Sequence, residues 1–129
     1  MNTKILLTAS AILLGIIGIG LSFLPAEILN VLHLKTSQTS ALIMQLLGAL
    51  YLGFGMMNWM AKSSIIGGIY NKPLVTGNLI HFAVGAITLL KVAFNLKDSK
   101  EVLIPLTIIY TIFALGYTFV FTKNPKAVN

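Results

Sequence analysis

The chain has 129 residues, 57% of them hydrophobic and only 9% charged, with a formal net charge of +6. A soluble domain carries about 25% charged residues, so this composition excludes an ordinary water-soluble globule. All the cations are lysines and there is no cysteine, which excludes disulfides, thiolate nucleophiles, thiol redox pairs and the bidentate arginine fork that suits phosphate. The lysines sit singly at the ends of apolar runs rather than on one basic face, so the charge points to a lipid bilayer and not to nucleic acid.

A bilayer-spanning helix needs about 20 apolar residues. Four stretches meet that length, at about residues 5–24, 41–61, 73–94 and 102–122, and the only charge within them is Lys91 near the end of the third. The first begins after Lys4. Its apolar core exceeds the about 7–15 residues of a signal peptide and no small-x-small site follows, so an uncleaved helix is expected. The connection Pro25–Ser40 has Ile28, Leu29, Val31, Leu32 and Leu34 set against Glu27, Asn30 and Lys35, which fits a short interfacial helix. Residues Thr36 to Ser40 then offer hydroxyl N-caps for the second span. Gly67-Gly68 and Asn71-Lys72-Pro73 mark a turn before the third span, and Asn95 to Glu101 form an aqueous loop before the fourth. The expected fold is all-α, an integral membrane four-helix bundle in one domain, with neither internal repeat nor extramembrane domain. The N-terminus, second loop and tail hold Lys4, Lys62, Lys72, Lys123 and Lys126. The opposite side holds Lys35, Lys91, Lys97 and Lys100 with all the acids. The lysine excess favours both termini in the cytoplasm.

Between helices in lipid, contacts depend on small residues and polar bonds. Ala11, Gly15, Gly18 and Ser22 form one stripe on the first span, and Gly48 and Gly55 on the second and Gly85 on the third are the matching packing positions. The polar seam comprises Gln45 and Asn58 on the second span, Asn78, His81 and Thr88 on the third, and Tyr110 and Tyr117 on the fourth. Thr107, Thr111, Ala114 and Thr118 lie in line on that last span. Depth at about 1.5 Å per residue groups Asn58, Asn78, His81 and Tyr117 at an inner level. Gln45, Thr88, Thr107 and Tyr110 fall at an outer one, with Lys91 at its rim. His81 is the ionisable group well inside a span, which by default makes it a functional candidate. It is either a packing imidazole bonded to Tyr117, Asn78 or a backbone carbonyl, or the polar anchor of a ligand. His33 reads as an interfacial surface residue, and Trp59 and Tyr70 as interface anchors. The scattered His and acids form no metal-ligand spacing, no catalytic constellation is visible, and no cofactor is expected.

Phe23-Leu24-Pro25-Ala26-Glu27-Ile28-Leu29 and the run Gln45 to Gly55, with Asn58 to Lys62, Ile66 to Tyr70 and Gly77 to Phe82, resemble the DoxX-like and related small four-helix bacterial membrane proteins. The resemblance covers nearly the whole chain and implies a four-helix bundle in a bacterial inner membrane. Relatives often carry Arg where Gln45 stands, so any role of that charge does not transfer. Some are associated with quinone or thiol redox systems, and without cysteine this chain could be at most a non-thiol partner. Three functions follow. The first is an accessory or scaffold subunit of a larger membrane complex or homo-oligomer. The second is a binder of a lipid-soluble small molecule, quinone- or sterol-like, between the helices. The third is a small ion or solute channel or transporter.

Overall fold

The computed structural model describes residues 2–63, 71–95 and 99–123. Five α-helices run in the order α1 (Thr3–Phe23), α2 (Pro25–Val31), α3 (Gln38–Ala61), α4 (Lys72–Asn95) and α5 (Lys100–Thr122), and no strand occurs among the described residues. Four of them, α1, α3, α4 and α5, are long and apolar enough to cross a membrane. Each starts slightly earlier than the apolar runs suggest, and at α1 and α3 a polar residue outside the run caps the helix. Asn2 accepts the Lys4 amide at 3.0 Å. Ser37 and Ser40 form a reciprocal capping box at the start of α3, each hydroxyl accepting the other's backbone N–H, at 3.1 and 2.8 Å. The anchor position Tyr70 and the Gly67-Gly68 turn lie outside the described residues.

The expected short helix between the first two spans is α2. Pro25 starts it, where a missing N–H costs nothing. It closes with the Leu34 amide on the Leu29 carbonyl at 2.9 Å and the His33 amide on the Asn30 carbonyl at 3.0 Å. That bond pair is a Schellman motif, whose turn residue must be left-handed. His33 occupies it with φ 56°. The Ser99 hydroxyl, just ahead of α5, donates to the Leu32 carbonyl at 3.0 Å and ties the end of α2 to the start of α5.

The four long helices stand antiparallel around a shared core, in the cyclic order α1, α3, α4, α5. The closest pair is α1 with α3, where backbones touch through glycine. A Cβ on Gly48 would stand 2.5 Å from the Ser22 hydroxyl oxygen and 2.9 Å from the Ser22 backbone nitrogen, and one on Gly18 would stand 2.9 Å from the Leu52 nitrogen. About two turns along α3, a Cβ on Gly55 would meet the Gly15 nitrogen at 3.1 Å and the Ala11 carbonyl at 3.2 Å. Gly15 offers its backbone to this contact while its own side-chain direction is open. The apolar core is built by Leu7 and Leu14 of α1, Leu74, Val75, Phe82 and Ala86 of α4, and Tyr110, Tyr117 and Val120 of α5. The buried residues of α3 are Gly48, Gly55 and Asn58, so this helix joins the others through backbone contact and an amide rather than through large apolar side chains.

Two substitutions test these local arguments. Gly48→Ala forces backbone atoms apart and should cost about 1–3 kcal/mol, whereas Gly53→Ala, with nothing near its Cβ, should stay within about 0.5 kcal/mol of the parent. Thermal unfolding of the detergent-solubilised protein separates them. His33→Gly removes the left-handed penalty and should stabilise by about 0.5–1 kcal/mol after glycine's extra chain entropy is counted, read as a raised Tm.

Candidate functional site

Polar side chains inside the fold gather into two networks with different hydrogen-bond accounts. The inner one takes one residue from each long helix: Ser10 of α1, Asn58 of α3, Asn78 of α4 and Tyr117 of α5, all essentially inaccessible. The two amides pair face to face, each Nδ2 donating to the other's Oδ1 at 2.7 Å. The second hydrogen of Asn58 goes to Ser10 Oγ at 3.1 Å, and that of Asn78 to the Leu74 carbonyl at 3.0 Å. Tyr117 bonds to Ser10 Oγ at 2.7 Å, and the Ser10 hydroxyl reaches the Leu7 carbonyl at 3.1 Å. With Tyr117 donating to Ser10 and Ser10 to Leu7, every N–H and O–H in the network has an acceptor. Such a network is closed: it fixes helix register and has no hydrogen left to offer a ligand.

The outer network is an open chain. His81 Nε2 of α4 bonds to the Tyr110 hydroxyl of α5 at 3.0 Å, and that hydroxyl bonds to the Tyr51 hydroxyl of α3. Aromatic rings hold the imidazole in place. Tyr51 meets it edge-on at 5.2 Å between centroids, Phe82 likewise at 4.9 Å, and Phe54 lies stacked at 5.8 Å. Gly85 makes the arrangement possible, since a Cβ there would lie 2.6 Å from Cε1 of Tyr110. Phe82 links the two networks, stacking on Tyr117 at 5.6 Å and meeting Tyr110 at 5.1 Å.

Tyr51 also lines a half-open apolar cavity of about 470 Å³ bordered by α1, α2, α3 and the start of α5. Ile17 and Leu21 of α1, Ile28 of α2, Leu47 of α3 and Leu103 and Leu106 of α5 line it, and Glu27 is its acidic member. The volume falls within the about 300–1,000 Å³ of small-molecule sites. α2 forms one side of the cavity, and the Ser99–Leu32 bond holds that side against α5.

The structure redistributes the residues expected from depth alone. Asn58, Asn78 and Tyr117 do meet at one level, but His81 does not join them; it turns to Tyr110. Asn78 and His81 are three residues apart, so they project about 60° apart around the helix as well as about 4.5 Å along it. Gln45 and Thr88 are exposed and belong to neither network; Gln45 instead donates to the Ser22 carbonyl at 3.4 Å. Thr107 is buried, but its hydroxyl is spent on the Leu103 carbonyl at 2.6 Å, and Thr111 and Thr118 bond likewise to the carbonyl four residues back. Threonine satisfied within its own helix offers no seam to a neighbour, so α5 presents Tyr110 and Tyr117 instead of the threonine line. Ser10 and Tyr51 are the partners that lie outside the expected seam, although Tyr51 stands in line with Gly55 and Asn58 on the second span. For Ser10 the available signal is a hydroxyl directly beside Ala11 on the small-residue stripe, and for Tyr51 its spacing of seven residues from Asn58, nearly two helical turns. Among the described residues no group of three or more His, Cys, Asp or Glu could hold a metal ion. At the end of α3 the Lys62 ammonium lies 2.9 Å from the centre of the Trp59 ring, a cation–π contact.

The amide pair can be tested by a double-mutant cycle. Asn58→Leu or Asn78→Leu alone strands the partner amide and should cost about 1–3 kcal/mol. The double variant removes both ends and should cost less than the sum of the two, with a coupling of about 1–2 kcal/mol, measured by unfolding in detergent. Comparison of the chain with protein-family models, with curated proteins and with solved structures finds no match, so the DoxX-like resemblance rests on the residues that carry it.

Proposed function

We propose that this chain is a multi-pass integral membrane protein that holds a neutral lipid-soluble molecule, quinone- or sterol-like in polarity, in the cavity beside Tyr51. The observation that carries the reading is the conjunction of an apolar cavity of about 470 Å³ with a hydrogen-bonded chain, Tyr51–Tyr110–His81, that begins in its wall. Apolar pockets with a few convergent polar groups are how such ligands are held. Packing alone does not call for the chain, because three aromatic polar side chains from three helices are costly inside an apolar fold. The membrane reading is supported by the outward face of the protein. Large apolar side chains such as Ile16, Leu46, Leu50, Met60, Ile112 and Leu115 are more than half exposed, and water does not tolerate that much contiguous apolar surface on a lone chain. In lipid the same surface is solvated. The lysine excess on the side of Lys4, Lys62 and Lys72, and the DoxX-like resemblance, support a bacterial inner membrane with both termini in the cytoplasm.

A second reading, an accessory subunit of a larger complex or a homo-oligomer, has one observation in its favour. A shallow groove of about 280 Å³ on the outer side of α1 and α3, along Ala11, Gly15, Gly55 and Trp59, leaves Gly15 with room for a neighbouring side chain. The channel or transporter reading has the least support, since the buried Leu7, Leu14, Phe82 and Tyr117 fill the space between the long helices.

Mild extraction followed by native mass spectrometry tests the proposal. The particle should carry a stoichiometric apolar small molecule. Leu47→Trp, which puts an indole into the cavity, should lose at least about 90% of it, the tenfold change that about 1.4 kcal/mol produces, with helix content by circular dichroism unchanged. A particle free of small molecules, or one that keeps its ligand in Leu47→Trp, would overturn the assignment to this cavity. A stoichiometric protein partner in place of the ligand would establish the accessory reading.

A further inference from the structure

The hydrogen account of the outer chain specifies the head group of the ligand. Tyr51, Tyr110 and a neutral His81 bring three O–H and N–H hydrogens, one each. The chain contains two hydrogen bonds, His81 to Tyr110 and Tyr110 to Tyr51. One hydrogen is therefore always left over. It can stand at either end of the chain: on the oxygen of Tyr51, a residue that lines the cavity, or on Nδ1 of His81. Placing it on Tyr110 in the middle is worst, because that residue is 3% exposed and both of its neighbours would be donating to it.

His81 is half-buried and its hydrogen bond is the one through Nε2. No buried side-chain nitrogen or oxygen among the described residues lacks a partner, so Nδ1 lies at the accessible side of the ring, which faces apolar surroundings in a bilayer. A lone donor in an apolar setting costs more than an unfilled acceptor, because orphaned N–H groups are rarer in proteins than under-used lone pairs. The favourable state thus keeps Nδ1 as the bare acceptor. Nε2–H donates to Tyr110, Tyr110 donates to Tyr51, and the spare hydrogen sits on the Tyr51 hydroxyl. What that hydroxyl lacks is an acceptor. A carbonyl oxygen supplies one and leaves no hydrogen of the assembly unbonded. An alcohol accepts the same bond but brings a hydrogen of its own, so one donor is again stranded. The described lining offers no cation, and its other side-chain oxygens belong to Glu27, so a carboxylate- or phosphate-headed lipid could accept the Tyr51 bond but would find nothing to balance its charge.

We propose that the Tyr51–Tyr110–His81 chain selects a carbonyl-headed apolar molecule over a hydroxyl-headed one of the same size, with the Tyr51 hydroxyl donating to the carbonyl and the selection written into the His81 tautomer. The inference rests on the cavity being the ligand site.

The test uses the full chain in lipid nanodiscs, labelled with ¹⁵N-histidine and carrying His33→Gln so that His81 alone reports. The probes are a long-chain methyl ketone, the matching secondary alcohol and the matching alkane. The ketone should bind about three- to tenfold more tightly than the alkane, the worth of one net hydrogen bond. The alcohol should gain less. Ketone binding should also drive the His81 nitrogen spectrum to the Nε2–H tautomer. Tyr51→Phe should erase the ketone's advantage while the alkane still binds. Tyr110→Phe, which interrupts the chain, should leave ketone binding without its effect on the His81 spectrum, so the two variants check the chain at separate points. Equal binding of all three probes, or tightest binding of the alcohol, would overturn the head-group inference and leave the cavity standing as an apolar site. Failure of every probe to bind the parent protein would overturn the cavity reading as well.

Discussion

The structure depends on the amide pair of Asn58 and Asn78 and on the two residues that complete it. Four side chains, one from each long helix, must reach one another at a single level, and each has an unpaired-donor penalty of about 1–3 kcal/mol if it misses. Apolar side chains on these helices are nearly interchangeable as neighbours, because burial is non-directional. A leucine slid by one turn still finds hydrocarbon. An amide slid by one turn finds no partner. The Ser10–Asn58–Asn78–Tyr117 network therefore fixes the vertical register of helices that apolar packing alone would leave free to slip, in the way a single buried polar position fixes register in coiled coils.

The glycine contacts act in the other direction, across the helices. Gly18 against Gly48 and Gly55 against Gly15 draw α3 onto α1 until backbone atoms meet, so α3 joins the fold with few large apolar residues of its own in the core. Close approach at that seam turns Leu47 and Tyr51 of α3 toward α5 and α2, and the space left between these elements is the cavity. Register set by the inner network then brings Tyr51, Tyr110 and His81 to one height. Gly85 clears the ring of Tyr110 so that its hydroxyl can stand between the other two. A packing glycine and a binding-site glycine are thus the same kind of residue put to different ends.

Much of the fold was legible in the chain because it is written locally. The four apolar runs, the Ser37–Ser40 cap, the Pro25 start of the short helix and the glycine positions of α1 and α3 each depend on a residue and its near neighbours. Of the polar interior, depth along each helix brought Asn58, Asn78 and Tyr117 together, but these form the closed network; of the candidate site itself, His81 and Tyr110 were legible only as separate polar positions. Rotation was the missing coordinate. Depth alone places His81 with Tyr117, but the angle between Asn78 and His81 around α4 sends the imidazole to Tyr110. The threonines of α5 suggested a polar stripe that the structure does not use, since each hydroxyl discharges its hydrogen on its own helix. The cavity had no signature in the sequence at all. It exists because α2 folds back beside α1 and is held to α5 by the Ser99 hydroxyl, a long-range bond with no local pattern.

What separates the two polar networks is not composition but count. Both are built from Tyr and from nitrogen-bearing side chains, both join at least three helices, and both touch Phe82. The inner network draws on backbone carbonyls of Leu7 and Leu74 as final acceptors, so its hydrogens are all consumed within the protein. The outer chain has no carbonyl at either end, and three hydrogens must share two bonds. A polar group retained inside an apolar fold without full satisfaction is a cost that stability alone does not explain. In this chain the end with the spare hydrogen belongs to a residue that lines an apolar cavity with space for an outside acceptor, and that coincidence is what turns a set of buried aromatics into a candidate binding site.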